Sequence, residues 1–172
     1  MTTDFWWPLT KGTTWTYTGY ADYVQTVTGD TVIDGKPYAN ISSVSSTPGV
    51  QNSTCFAYWT GTQLFSRNYG GIIATSEICA IDITPNSTWS FDITANGLVN
   101  HYVFTNLEQG LTRTVLGQSY SDVIHVHLDQ SFNFGGQTST LSGEYYYSKG
   151  IGLIEATFLG GATIYLKSYS IK

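Results

Sequence analysis

Charged residues are scarce in this sequence. They make up 11% of its 172 residues, whereas an average soluble domain has about 25%. Seven lysine and arginine residues stand against twelve aspartate and glutamate residues, so the formal net charge is -5 at pH 7. Binding to a nucleic-acid backbone needs a basic surface that releases counterions. Because the sequence offers no such surface, we expect no nucleic-acid partner.

Long hydrophobic runs are also missing. Apolar stretches such as Ile151 to Ile154 fall far short of the roughly 20 residues that a membrane-spanning helix needs, and the mean hydropathy is only -0.07. We therefore expect a soluble protein without a transmembrane segment. Intrinsic disorder is disfavoured as well, because a chain with 41% hydrophobic residues, 13 Tyr, 8 Phe and 5 Trp can bury enough surface to offset its conformational entropy.

Helical periodicity is the third absence, since no long window repeats apolar residues at i, i+3, i+4 and i+7. Short segments of β-branched and aromatic residues alternate instead with dipeptides that favour tight turns. These dipeptides are Asp34-Gly35, Thr60-Gly61, Gly70-Gly71, Asn96-Gly97, Gly135-Gly136 and Gly160-Gly161. The pattern predicts one all-β domain over residues 1–172, with about a dozen antiparallel strands and no substantial helix. Such strands must close as a barrel or pack as a two-sheet sandwich, because a long open sheet leaves edges and apolar faces bare.

Two segments show the alternation of a half-buried strand. Trp15 and Tyr17 fall on one face of the first segment, with threonines on the other face. In the segment 122–129, Ile124, Val126 and Leu128 form an aliphatic face that we expect to point into the core. Val123, His125, His127 and Asp129 fall on the opposite face.

The sequence also contains a weak internal repeat. Three blocks recur in the same order, which predicts two related β units, roughly residues 5–82 and 83–172, packed on each other. The paired blocks are Gly12 to Tyr17 with Asn86 to Phe91, Ile33 to Ile41 with Val115 to Val123, and Tyr58 to Phe65 with Tyr147 to Ile154.

Four motifs carry a resemblance to a known group of proteins. They are Trp-Pro-Leu-Thr-Lys-Gly-x-x-Trp-x-Tyr from Trp7, Gly-Lys-x-Tyr from Gly35, Tyr-x-Asp-Val-Ile-x-Val from Tyr120, and Tyr-Tyr-Tyr-Ser-Lys-Gly-Ile-Gly-Leu-Ile from Tyr145. With these motifs the chain resembles uncharacterised secreted or lipoprotein-like β-proteins of Bacteroidota. The resemblance implies an antiparallel β body and a periplasmic, cell-surface or secreted location, with the leader peptide removed. It implies no activity and supplies no catalytic residue.

Two cysteines, Cys55 and Cys79, fall on predicted strands that flank the turn near Asn68. If these strands form a hairpin, the two thiols could face each other. In an exported protein such a pair is usually a disulfide, which would stabilise the chain by about 3 kcal/mol. The alternative is two buried free thiols.

The three histidines of the sequence are the main candidates for a metal site. His125 and His127 project from one face of one predicted strand, about 7 Å apart. Asp129 continues that face, and His101 lies on an earlier predicted strand. A site of three histidines, or of two histidines and a carboxylate, could hold zinc or copper with an open coordination position. The alternative is that these residues only fill a solvated sheet surface.

The aromatic residues are the main candidates for ligand binding. They are more numerous than one small core requires, and some are expected to remain partly exposed. The candidates are Trp6, Trp7, Trp59, Tyr69 and Tyr102. Partly exposed rings suit an apolar small molecule or the apolar face of a sugar. The alternative is that these rings only pack the core and form aromatic pairs across strands.

From these features we expect an exported protein of the cell envelope that binds an apolar small molecule, a glycan or a protein partner. The alternative is a metal-dependent enzyme, hydrolytic or oxidative, centred on His125 and His127. A third possibility is a structural module of a larger surface assembly. The sequence contains no nucleophile or cofactor motif.

Overall fold

Twelve antiparallel strands follow one another in the described part of the chain, as the all-β prediction required. The computed structural model describes residues 6–68, 77–95, 97–134 and 136–172, and the described residues contain no helix. None of the described segments therefore has the long apolar helix that crosses a bilayer. The strands are β1 (Thr14–Gly19), β2 (Tyr23–Ile33), β3 (Lys36–Ser45), β4 (Ser53–Thr60), β5 (Gln63–Arg67), β6 (Ile78–Asp82), β7 (Thr88–Ala95), β8 (Leu98–Val115), β9 (Gln118–Phe134), β10 (Gln137–Ser148), β11 (Gly152–Thr157) and β12 (Thr163–Ser170).

The strands form one nearly closed barrel with up-and-down connections. Each strand except β6 pairs with the next one along the chain, and β1 pairs with β12, so that β6 and β7 lie at the two ends of the sheet order. Side chains bridge this seam instead of a backbone ladder. The indole nitrogen of Trp89 on β7 donates to the Cys79 carbonyl oxygen on β6 at 3.0 Å. The barrel is therefore closed by a few specific hydrogen bonds.

Tight turns join neighbouring strands where glycine permits a left-handed backbone. Asp34 and Gly35, between β2 and β3, have φ of 53° and 78°, which is the geometry of a two-residue type I′ hairpin. Leu116 and Gly117, between β8 and β9, have φ of 49° and 84°. This second turn was not predicted, because leucine rarely adopts positive φ.

The barrel interior is filled by the residues that strand alternation assigned to it. Trp15 and Tyr17 are 0% and 1% exposed, and Ile124, Val126 and Leu128 are at most 2% exposed. These predictions are confirmed.

One residue departs from the predicted alternation. Val123 was placed on the histidine face but is fully buried. It follows Asp122, which has a φ of 50°, and the pairing of β9 with β8 shifts register on both sides of it. The irregular backbone there turns the Val123 side chain into the core.

Six strands lie on each side of the connection 83–87. The three repeated blocks fall on corresponding elements of the two halves: the first strand, the hairpin of the second and third strands, and the hairpin of the fourth and fifth strands. The duplication of the two units itself stays a prediction.

The expected disulfide is not formed, and both cysteines are free thiols. Cys55 lies on β4 and Cys79 on β6, with β5 paired between them. Two interstrand spacings amount to about 9.5 Å, whereas bridged Cα atoms lie within about 7 Å. Cys55 also shares a sheet face with buried Ile41, while Cys79 shares the other face with Phe65. The prediction of facing thiols is wrong because the two strands are not a hairpin.

Both free thiols are largely shielded from water. Burial raises the pKa of the Cys55 thiol to about 12, and burial together with the charge of Asp82 raises the pKa of the Cys79 thiol to about 12. Since the thiolate is the nucleophilic form, neither cysteine is suited to covalent chemistry at neutral pH.

Candidate functional site

Two histidines and three carboxylates alternate along the outer face of β8, β9 and β10. The register places Glu144 on β10 opposite His127 on β9. Glu144 Oε2 lies 2.6 Å from His125 Nε2, and its Oε1 lies 2.7 Å from His127 Nδ1. Glu108 and Asp129 extend the row, at 3.8 Å from His125 Nδ1 and 3.3 Å from His127 Nε2. We call these five residues the histidine–carboxylate row.

An aromatic ring and an ion pair hold one end of the row in place. The His125 ring stacks on Tyr146, with ring centres 4.5 Å apart and an angle of 12° between the planes. The Arg113 guanidinium carbon lies 3.4 Å from the centre of the same tyrosine ring. Arg113 also donates to Glu155, with Nε 2.6 Å from Oε2. These contacts fix the ring of His125 at the sheet surface.

The row favours the protonated form of His127. Both of its ring nitrogens face carboxylate oxygens, and only an imidazolium can donate from both nitrogens. Burial lowers the pKa of His127, but the hydrogen bonds and charges of Glu144 and Asp129 outweigh it, so that the pKa is raised above its ordinary value.

The raised pKa predicts that stability depends on pH. His127 binds its proton more tightly in the folded chain than in the unfolded chain, where the ordinary value is 6.5. Its contribution to the free energy of unfolding is therefore complete below that pH and is lost as the pH rises through the folded-state pKa. We expect this contribution to be complete at a pH well below 6.5, to decrease as the pH rises above that value, and to be missing from His127→Gln throughout. Urea unfolding followed by circular dichroism measures it as the difference between the two proteins.

Glu144→Gln is a second variant that tests the same prediction. It keeps the size of the side chain but removes the charge that stabilises the imidazolium, so it should also reduce the pH dependence. A pH dependence that is the same in the wild type and both variants would contradict the role of the row.

His101 does not join the row, contrary to the expected three-histidine site. It lies opposite Ser131, four residues beyond His127 along β9, which is about 13 Å away. Its Nδ1 lies 2.6 Å from Asp92 Oδ1. Among the residues that the structure describes, no group of three or more histidine, cysteine, aspartate or glutamate side chains is arranged to hold a metal ion. A zinc or copper site at His125, His127 and Asp129 stays a prediction.

Three of the five aromatic residues predicted to bind ligand lie in the core. Trp6, Trp7 and Tyr102 are 9%, 4% and 7% exposed. Trp6 and Trp7 precede β1 in an irregular segment, where side chains do not alternate between two sheet faces. Both rings therefore pack into the core. Tyr69 lies outside the described residues.

The fourth aromatic residue, Trp59, borders a cleft of about 440 Å³. Trp59 is half-buried near the end of β4, and its indole nitrogen donates to the Trp7 carbonyl oxygen at 2.8 Å. We call this opening the mouth cleft. Its lining comes from the segment before β1, from β2, β3 and β4, and from the residues after β12: Pro8, Leu9, Thr10, Asp30, Pro37, Tyr38, Ala39, Ala57, Tyr58, Trp59, Ile171 and Lys172.

Small side chains on the inner face of the sheet provide the space for the cleft. Ala39 on β3 pairs with Ala57 on β4 and with Asp30 on β2. Because directly opposed residues share a sheet face, all three point inward. Pro37, two residues before Ala39, and Trp59, two residues after Ala57, lie on the same face. Asp30 therefore places a carboxylate on the inner face at the barrel mouth.

On the outer face of β3 and β4, the carboxylate of Glu77 connects the two strands by hydrogen bonds. Glu77, just before β6, accepts hydrogen bonds from the Tyr38 hydroxyl, from the Tyr58 hydroxyl at 3.0 Å and from Lys36 Nζ at 3.1 Å. Burial raises the pKa of Glu77, but these three donors outweigh it and the pKa is lowered. A charged Glu77 thus fixes β3 and β4 from outside, which keeps the cleft wall in position.

The lining of the mouth cleft was mostly missed by sequence reasoning. Trp59 was identified because tryptophan is conspicuous, whereas Asp30, Pro37 and Ala39 carry no local signal. Likewise, Glu144 was not among the predicted site residues. Its place between His125 and His127 depends on the register of β9 and β10.

Fold and site together define a nearly closed up-and-down β-barrel with a partly apolar cleft at its mouth. No protein-family model matches the sequence, and no curated protein matches it. The fold is similar to two crystal structures, a predicted lipoprotein from Parabacteroides distasonis and a predicted exported protein with a YmcC-like fold from Bacteroides fragilis. Each has a TM-score of 0.63 and covers 97% of this chain and 99% of its own, at 14% and 11% sequence identity respectively. The resemblance to lipoprotein-like β-proteins of Bacteroidota is confirmed at the level of the fold.

Proposed function

We propose that the protein is an exported binding protein of the cell envelope, and that it holds a small ligand in the mouth cleft. The observation that carries this proposal is the cleft itself. Its volume of about 440 Å³ falls in the range of small-molecule sites, about 300–1,000 Å³. Its walls are mostly apolar with a few polar groups between them, the combination that buries a ligand and orients it.

The envelope location is supported by the similar folds. One of the two similar structures is described as a lipoprotein and the other as an exported protein, and the sequence motifs resemble the same kind of protein.

A metal-dependent enzyme is not proposed as a second function. His101 is remote from His125 and His127, and Glu144 already contacts a ring nitrogen of each of those two histidines.

Proton–nitrogen correlation NMR tests ligand binding directly at the cleft. The indole N–H signal of Trp59 is assigned by its loss in Trp59→Phe. The protein is titrated with an apolar dye, N-phenyl-1-naphthylamine, and separately with methyl glycosides and short oligosaccharides. We expect at least one probe to shift the Trp59 signal until saturation, while the signal of fully buried Trp15 stays in place.

A filled cleft provides the matched variant. Ala39→Val adds two methyl groups to the floor of the cleft and should weaken binding by about tenfold or more. Thr105→Val replaces a hydroxyl by a methyl group on the outer face of β8, opposite His127 and away from the cleft, and should leave the affinity unchanged. The proposal is wrong if no probe shifts the Trp59 signal, or if Ala39→Val binds as tightly as the wild type.

A further inference from the structure

The mouth cleft contains polar groups of both signs beside its apolar walls. Asp30, Lys172 and Thr10 border the cleft, and the pairing of Asp30 with Ala39 places Asp30 on the inner face of β2. Asp30 and Lys172 are both exposed, and neither is among the ion pairs of the described residues. Both charges are therefore available to a ligand.

A purely apolar ligand fits this arrangement poorly. Covering Asp30 with hydrocarbon would remove water from its carboxylate without supplying a hydrogen-bond donor, and burying an unpaired charge is strongly unfavourable. A cationic ligand would suit Asp30 but would be repelled by Lys172, and an anionic ligand would meet the opposite problem. The polar residues that border the mouth cleft therefore disfavour binding of apolar, cationic and anionic ligands.

A neutral ring that carries hydroxyl groups can form hydrogen bonds with both the carboxylate of Asp30 and the ammonium of Lys172. Its hydroxyls can donate to Asp30 and accept from Lys172 or Thr10, because a hydroxyl is both a donor and an acceptor. Its C–H face can contact the apolar wall formed by Trp59, Pro37 and other lining residues. Bonds between neutral hydroxyls and a charged group are among the stronger hydrogen bonds.

We infer that the ligand of the mouth cleft is a saccharide, oriented by Asp30 and in contact with Trp59. This inference rests on the proposed binding function and names its ligand class. The carboxylate of Asp30 accepts hydroxyl hydrogen bonds from the sugar, the ammonium of Lys172 donates to a sugar oxygen, and the ring lies against the apolar wall.

The test compares the two kinds of probe on Asp30→Asn. This substitution keeps the size of the side chain but removes its charge. In the wild type we expect a methyl glycoside or short oligosaccharide of glucose, galactose or N-acetylglucosamine to shift the Trp59 signal until saturation. In Asp30→Asn we expect its dissociation constant to rise about tenfold or more. Asp92→Asn, which removes a carboxylate from β7 in the other half of the barrel, is the matched control and should leave the dissociation constant unchanged.

Each outcome separates the ligand class from the binding function. If N-phenyl-1-naphthylamine binds at Trp59 and no saccharide does, the cleft binds apolar molecules, so the saccharide inference fails while the binding function stands. If saccharides bind equally well to the wild type and Asp30→Asn, the orienting role of Asp30 is wrong. If no probe shifts the Trp59 signal, both the inference and the proposed function fail.

Discussion

Replacing Trp15 by alanine is expected to lower the free energy of unfolding by about 3–5 kcal/mol, the range measured for large aromatic side chains removed from protein cores. Trp15 is fully buried. Its ring meets Trp7 edge-on, with centres 5.8 Å apart, and its indole nitrogen donates to the Ile151 carbonyl oxygen at 2.5 Å. The substitution therefore leaves a cavity and a partly buried carbonyl without its donor. Urea unfolding followed by circular dichroism measures the loss.

Two further variants make this prediction decisive. Trp15→Phe retains most of the ring but loses the N–H donor, so its destabilisation should be clearly smaller and should remain measurable even if Trp15→Ala does not fold. Tyr20→Ala removes an aromatic ring that is 70% exposed and should change stability by less than about 0.5 kcal/mol. Similar losses for Tyr20→Ala and Trp15→Ala would contradict the assignment of Trp15 to the centre of the core.

Replacing Asn106 by alanine is expected to destabilise the protein by about 1–3 kcal/mol, the cost of leaving buried polar groups without a partner. Asn106 is 1% exposed. Its side-chain nitrogen donates to the carbonyl oxygens of Asp82 at 3.3 Å and Thr84 at 3.2 Å. Its backbone nitrogen donates to Ser87 at 2.9 Å. One side chain thus ties the connection between β6 and β7 to β8 at the seam of the barrel.

Amide hydrogen exchange at the seam between β6 and β7 is a second, local test of this prediction. In Asn106→Ala, amide hydrogen exchange should increase in β6 and β7 before it increases in β1 and β12, whose backbones are joined by a ladder. Asn106→Asp keeps the shape but replaces the donating amide by a carboxylate that faces two carbonyl oxygens, so it should be at least as destabilising. Asn133→Ala, at an exposed position of β9, is the control. An Asn106→Asp variant as stable as the wild type would show that the amide does not hold the seam.

The fold class could be predicted because its signals are local. Alternation in β1 and β9, and glycine-containing dipeptides such as Asp34-Gly35, each act within a few residues. The errors arose where local rules do not hold. Trp6 and Trp7 were predicted to bind ligand as partly exposed rings, but they lie in an irregular segment and pack into the core. Cys55 and Cys79 were treated as a hairpin pair, but β5 pairs between their strands.

The candidate sites depended on register between strands, which the sequence does not contain. Glu144 and His127 are opposite each other because β9 and β10 pair with one particular offset, and a shift by one residue would move Glu144 to the other face of the sheet. Asp30 faces inward for the same reason. It pairs with Ala39 after the register of β2 shifts between Val27 and Gly29.

Local sequence patterns are enough to establish an all-β domain of about twelve strands, with Trp15, Tyr17 and the aliphatic face of β9 in its core. These features follow from backbone propensity and from hydrophobic alternation, which act between near neighbours in the chain. Packing of the whole chain is needed to close the sheet into a barrel with a side-chain seam, to align the histidines with Glu144, and to bring Trp59 and Asp30 to one cleft. These features join residues far apart in sequence, and their positions are set by how all twelve strands pack against one shared core.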